Sequence, residues 1–530
     1  MRNLFVGILI LFSQFALSQN YPPYHVNVCT SASKGYYFMD AITISQFATG
    51  NPTHIIMDST GQVIYYHPLA NGGGDFKIQP NGGLMSYLDN NKFYLMDSTF
   101  TIVDSVDCVG YTLDGHDLQI LPNGNFLLLG LENIHMNLSS YHYFGPMHNA
   151  PGGTNATVKC GLIQELNPAR QVVFEWHTKD HFAFSDVDPQ WLYTPNVVDW
   201  NHCNAIALDN DGNILLSMRH FDEVTKINHT DSSVIWRMGG NANQFSFPND
   251  PTMFRGQHDI RRIANGNVTL WDNGSGTPFH VGSAKEYSLD ETNHIATLAW
   301  NYVEDTASFS VAIGDVQRLP DGNTLIDYGV TDSIPKLFDV VTPSGNVVFE
   351  LQFDDTLRSY RTFNYQTMPW RLPRPQISCV QIGNQHFLDA GSGHASYLWS
   401  NGATTQMIPV TTTDTFTVFV PIGDGGFIRS EDFIVADTAN PCGPLHMNSI
   451  AEDHNFSISP NPVTNELRID LGNAANEKLN LEFYNALGEL VHATEIQRGN
   501  SSVVINTEEL PNGIYLLRIN NEFRKFIKSE

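Results

Sequence analysis

"GQHDIRRIANGNVTLWDNG", residues 256–274, is an apolar strand, an Asn-Gly turn and a second apolar strand, and its first strand opens on a histidine and an aspartate. Asn-Gly between alternating apolar runs is a strong hairpin signal. The same device recurs as "HDLQILPNGNFLLLG" at 116–130, "NAIALDNDGNILLSMRH" at 204–220 and "GDVQRLPDGNTLIDYG" at 314–329. A second hairpin follows each copy, at 161–176, 224–238, 284–300 and 335–351. Two hairpins make one four-stranded unit. Weaker copies lie at 76–106 and at 53–69, the latter a candidate to complete the last unit. About six such units between residues 40 and 370 predict an all-β chain built on a six-bladed β-propeller. An array of β-sandwiches is the structural rival, but it leaves the shared turn register unexplained.

That register points to a site. Eight positions before the turn glycines Gly124, Gly212, Gly266 and Gly322 stand His116, Asn204, His258 and Gly314. With a two-residue turn and no bulge, Arg219 faces Asn204 and Asn273 faces His258. His202, two residues before Asn204, projects to the same face. The strand entering a blade lines the central channel, so His116, His202, Asn204, Arg219 and His258 are expected at one channel mouth.

Equivalent His-Asp pairs can also be purely structural, tying neighbouring strands together. Asp117, Asp259 and Asp315 recur even where glycine replaces the histidine, so the aspartates are assigned to blade architecture. His177, His181, His220, His229 and His280 are read as solvated residues of loops and strand ends. Three histidines and an arginine at one rim are different, because a surplus of buried cationic groups costs stability unless an anion meets it.

Several classes are excluded by bulk properties. A formal net charge of −27 with only 28 Lys and Arg residues argues against a nucleic-acid partner. "MRNLFVGILILFSQFALS" has a basic start, a short apolar run and a small-x-small end, and reads as a signal peptide over residues 1–18. Its apolar run is too short to span a bilayer, and no other stretch approaches that length, so no transmembrane helix is expected. Six cysteines without Cys-x-x-Cys spacing argue against a structural zinc site, and no metal is expected. Spacing selects no disulfide pattern, although Cys379 and Cys442 bracket one segment.

The propeller is assigned to residues 19–370, ending at the Pro-rich "MPWRLPRP". Residues 376–443 alternate around a further Asn-Gly turn and resemble small immunoglobulin-like modules of surface proteins, which implies an immunoglobulin-like β-sandwich acting as a spacer, with glycan or surface contact as the alternative role. Residues 455–530 show the alternation of a small C-terminal β-sandwich.

"NHCNAIALDNDGNILLSMRHFDEVTKINHTDSSVIWRMGG" (201–240), with 256–274 and "GHDLQILPNGNFLLLG" (115–130), resembles the PAPS-independent arylsulfate sulfotransferases, secreted six-bladed propellers. The resemblance implies that an aryl sulfate donor and a phenolic acceptor exchange a sulfuryl group in ping-pong fashion, with no cofactor. Carried over by position, His258 matches the histidine that becomes sulfated. His202, Asn204 and Arg219 match the groups holding the sulfuryl oxygens, and His116 the further histidine of the site. "FSISPNPVTNELRIDL" and "LPNGIYLLRINNEFRKFIK" resemble the C-terminal sorting domain of the type IX secretion system. That implies the secretion machinery as partner and a protein secreted or attached at the outer-membrane surface. Independently of any name, imidazole is neutral near pH 7 and nucleophilic enough to displace an aryloxide. Two other classes stay open from the residues alone: a non-catalytic propeller that binds sulfated or phenolic ligands or acts as an adhesion scaffold, and a metal-assisted hydrolase using the histidines as ligands.

Overall fold

A computed structural model describes residues 21–30, 34–42, 52–69, 72–80, 83–143, 150–275, 281–303, 310–331, 336–354, 357–442, 457–460, 462–471, 478–485, 490–519 and 522–529. His280 lies outside them. Among the described residues the regular structure is β-strand, interrupted by short 3-10 turns. Two compact units are separated, residues 1–443 and 444–530.

Six antiparallel sheets of the first unit are the blades of a propeller. The innermost strands are Thr362–Tyr365 in blade one, Lys77–Ile78 in blade two, Thr112–Ile120 in blade three, Cys203–Leu208 in blade four, His258–Arg262 in blade five and Asp315–Arg318 in blade six. Neighbouring inner strands touch from blade three through blade six and on to blade one. The ring is closed twice. Thr362–Tyr365 supplies the inner strand of a blade otherwise built from Tyr36–Ala41, Thr53–Asp58 and Val63–Pro68, and Tyr24–Cys29 adds an outer strand to blade six against Val347–Phe353. The 53–69 hairpin therefore completes the blade that the C-terminal strand of the ring begins.

Both partner assignments made from the turn register need correction. The turns are three-residue loops: Gly124 N–H donates to Leu121 O while Leu121 N–H donates to Asn125 O, and the glycine sits at φ +83°. This is a turn closed by a left-handed glycine, so Ile120 faces Phe126, not Leu127. A bulge then shifts the inner strands of blades four and five at Asn204 and between His258 and Arg261. Met218 pairs with Cys203, and Trp271 faces His258.

The channel is stitched by a buried ionic network. Lys77 pairs with Asp75 and Asp117, Arg261 with Asp117 and Asp259, and Arg361 with Asp75, Asp117 and Asp259. Arg261 also donates to Ile206 O of blade four, and Thr362 N–H donates to Asp315. The recurring aspartates thus bind one blade to the next. The ion-paired charges hold because each is met by an opposite one, whereas burial, with Asp259 and Asp327 adding to it, pushes the pKa of Asp315 well above the usual carboxylate range.

Residues 376–442 form short antiparallel strands, and Cys379 and Cys442 are joined in a disulfide. Gly426–Arg429 pairs with Val63–Pro68, continuing the sheet of blade one. Leu388, Trp399 and Val418 share a core with Phe38, Ile56 and Tyr65 of that blade. In the second unit two sheets, Ser457–Ser459 with Glu466–Asp470 and Ser502–Asn506, and Leu490–Ile496 with Leu479–Tyr484, Gly513–Ile519 and Glu522–Lys528, enclose a core that includes Leu467, Leu481, Phe483, Leu517 and Phe526.

Candidate active site

His258 opens the inner strand of blade five and is 2% exposed. Its Nδ1 lies 2.7 Å from Asn273 Oδ1 and 3.1 Å from Gly256 O, both acceptors, so Nδ1 carries the proton and donates. Nε2 then holds the lone pair and accepts the Ile313 N–H at 3.2 Å. Burial first, then the positive field of Arg219 and the nearby His202 and His116, holds its pKa well below the usual imidazole value. The side chain is neutral across the physiological range. The strand pairing that would have set Asn273 opposite is lost to the bulge, yet its amide still reaches the ring.

Arg219 leaves the strand Ile214–Met218 at a single 3-10 turn, Arg219–Phe221, and is 8% exposed. It stacks over Trp191 with Cζ 4.1 Å from the ring centroid, donates from Nη1 to His220 Nε2 at 3.0 Å and from Nη2 to Val311 O at 2.5 Å. Its Nε is buried without a hydrogen-bond partner. Asn204, wholly buried, donates one amide proton to Gln257 O at 2.7 Å, and its Oδ1 has no hydrogen-bond partner.

His116 and His202 meet edge to face, with centroids 4.9 Å apart. Each is backed by a carboxylate at Nδ1, His116 by Asp114 and His202 by Asp199 at 2.6 Å. Their electrostatics diverge. Burial opposes the charge on both rings, but at His116 Asp114 more than offsets it and raises the pKa, whereas at His202 the cost of burial, with His116 and Arg219 adding to it, outweighs Asp199 and lowers it. Asp199 is held well below the usual carboxylate range, because His202, His220 and His116 outweigh its burial.

His220 is not solvated, contrary to expectation. It is 5% exposed, donates from Nδ1 to Asp199 O at 2.7 Å and lies parallel to Trp191 and His202. Burial and the adjacent His202 hold its pKa well below the ordinary value. The other loop histidines are anchored too: His177 on Glu132 and Glu175, His229 on Glu165, and His181 against Trp176.

Sequence reasoning missed Trp191, Asp199 and His220, and also Tyr360 and Arg361, whose side chains both donate to Asn204 O, Arg361 reaching His116 O as well. Trp191 and Asp199 come from the irregular run between blades three and four, which has no blade period to read. His220 alone had a signal, its place directly after Arg219. Asp199, His202 and His220 offer atoms within 4.8 Å of one another that could hold a metal ion. Both His220 nitrogens are already engaged, one of them by a guanidinium that would repel a cation.

Residues 26–366 match the sequence model of the arylsulfotransferase (ASST) family, and residues 457–529 that of the secretion system C-terminal sorting domain. No curated protein matches the chain. Among solved structures, a Bacteroides caccae protein of unknown function is 12% identical, with 62% of this chain and 98% of that one covered at a TM-score of 0.40. A streptogramin B lyase is 11% identical, with 76% and 100% covered at 0.30, and a catalytically inactive virginiamycin B lyase from Staphylococcus aureus bound to quinupristin is 11% identical, with 77% and 98% covered at 0.25. No helix of the described residues is long and apolar enough to cross a membrane. The sorting domain marks the protein as secreted or attached at the outer-membrane surface, and over most of its length the chain belongs to the arylsulfotransferase family.

Proposed function

We propose that the protein moves a sulfuryl group from an aryl sulfate to a phenol through a sulfated His258. The observation that carries this reading is the fixed tautomer of a buried, neutral His258, with its lone pair on Nε2 in the field of Arg219. Nε2 attacks sulfur, the N–S bond forms and the S–O bond to the aryl group breaks. Nδ1 keeps its proton on Asn273, so the sulfated ring carries a positive charge beside its sulfonate until the second phenol takes the group and Nε2 leaves.

Sulfuryl transfer has a loose transition state with charge on the peripheral and leaving oxygens, as in phosphoryl transfer. Arg219 Nε–H and the second amide proton of Asn204 supply donors, each worth about 3 kcal/mol in a dry site. The two histidines divide the proton work. His116, with its raised pKa, is the acid for the departing aryloxide; His202, neutral with Nδ1–H on Asp199, presents an unprotonated Nε2 and is the base for the incoming phenol. On this reading His202 takes a proton and does not donate to a sulfuryl oxygen, and between turnovers that proton passes from His202 back to the adjacent His116, which resets both groups. The reaction calls for no PAPS, nucleotide or metal. Donor, acceptor and secretion machinery are the partners.

The test is nitrophenol release from para-nitrophenyl sulfate by the full chain, with and without a second phenol, beside His258→Ala. Acceptor-dependent release that the variant loses, with added mass on the His258 peptide after brief donor exposure, is the expected result. No release from folded protein across a panel of aryl sulfates and phenols would move the site to an anion-binding scaffold.

A further inference from the structure

A stretch of main chain leading into blade six, residues 310–313, lies across the reacting groups. Val311 O accepts Arg219 Nη2, and two residues on Ile313 N–H points at His258 Nε2. The stretch is tied down by Asn273, the residue that also fixes the His258 tautomer. Asn273 Nδ2 donates to Ile313 O at 2.9 Å and to Ser310 Oγ at 3.0 Å, and Ser310 N–H donates to Asn273 O. Ile313 has φ +55°, a region that a β-branched residue rarely enters. Gly329 makes room for it, since a Cβ there would stand 2.6 Å from Ile313 O. Strain of this kind persists only where the surroundings over-determine it, and it clusters at functional sites.

We infer that the Ile313 main-chain N–H is a catalytic group of this site. In the free protein it holds the Nε2 lone pair, while the Val311 carbonyl stands where a sulfuryl oxygen meets Arg219. The arriving donor displaces both, and the amide passes from Nε2 to a peripheral sulfuryl oxygen as the N–S bond forms. The assignment rests on the sulfo-His258 reading, and it explains why a nucleophile this buried stays intact until a substrate with the right anionic group arrives. An aryl ester without that group has nothing to exchange for the Val311 carbonyl on Arg219.

The cap is tested by the rate at which diethyl pyrocarbonate modifies His258 in the full chain, followed on the His258 peptide with exposed His25 as internal standard. Ile313→Pro has neither the N–H nor access to φ +55°. Ser310→Ala removes an anchor without touching His258. His258 modification is expected to rise about tenfold in the first and about fivefold in the second. Acceptor-dependent turnover should fall about 100-fold in Ile313→Pro, which lacks the donor, and persist in Ser310→Ala. Unchanged His258 reactivity in both variants overturns the cap, and undiminished turnover in Ile313→Pro overturns the catalytic role. Faster modification in variants of a wild-type protein that moves no sulfuryl group supports the cap and overturns the transferase reading, so the two failures are distinguishable.

Discussion

Replacing Arg361 with methionine tests whether the channel network holds both fold and site. The guanidinium is 1% exposed and touches Asp75 at 2.8 Å, Asp117 at 3.4 Å and Asp259 at 3.0 Å, besides the carbonyls of Asn204 at 2.7 Å and His116 at 3.2 Å. Lys77 remains on Asp75 and Asp117 and Arg261 on Asp117 and Asp259, so no carboxylate loses its last cation. The charge component is therefore set at the low end for a broken buried pair, about 3 kcal/mol. Two carbonyls losing a cationic donor add about 2 kcal/mol, since Tyr360 still serves Asn204. The sum, about 5 kcal/mol, is comparable with the whole stability of many domains. All eight tryptophans precede residue 444, so tryptophan fluorescence during urea unfolding reads the propeller-containing unit alone. A loss below about 1 kcal/mol would refute the claim that Arg361 carries the network.

Asp114→Asn removes the carboxylate that raises the His116 pKa. If protonated His116 is the acid, the alkaline limb of turnover moves to lower pH, and an unmoved limb in a pH–rate profile assigns the acid elsewhere. The same pair stabilises the fold below the ordinary imidazole pKa and loses that contribution as pH rises through the raised value. Asp222, beside Gly256, is pushed up to about 7 by burial, against the Gly256 N–H that it accepts. Its folded form binds a proton that the unfolded chain releases near pH 4, so stability falls as pH rises from 4 to 7. Asp222→Asn should remove that slope and gain up to about 4 kcal/mol at pH 8, measured by urea unfolding at both pH values; parallel curves would contradict it.

How much of this was legible in the sequence follows from which forces act locally. The Asn-Gly and Asp-Gly turns impose their own geometry, so the hairpins and the blade count could be read directly. His258, His116 and His202 came from the same register, and all three stand at one site. What failed was the last step of the counting. A left-handed turn glycine adds one residue to the loop and the bulges at Asn204 and Asp259 add another, so Arg219 reaches the site from a 3-10 turn and not from the rung opposite Asn204. Asp199 and Trp191 were invisible because their positions depend on tertiary packing of an aperiodic connection; His220 had its place after Arg219 as a signal, but the burial of a loop histidine is decided by what covers it. The docking of residues 376–442 onto blade one joins main-chain pairing to a shared apolar core, and neither tells from the sequence which sheet the segment will meet.

The double closure of the ring has a consequence for the order of synthesis. Blade one is begun by Tyr36–Ala41 and waits for Thr362–Tyr365, so its central place stays open while every other blade is made. A ring joined at such sequence distance pays its loop entropy late and gains its stability at once. Yet the joining strand precedes the first residue of the sorting domain. A chain that shows its export signal therefore already holds every strand needed to lock the ring, and the tail can serve as a token of completed synthesis as well as an address.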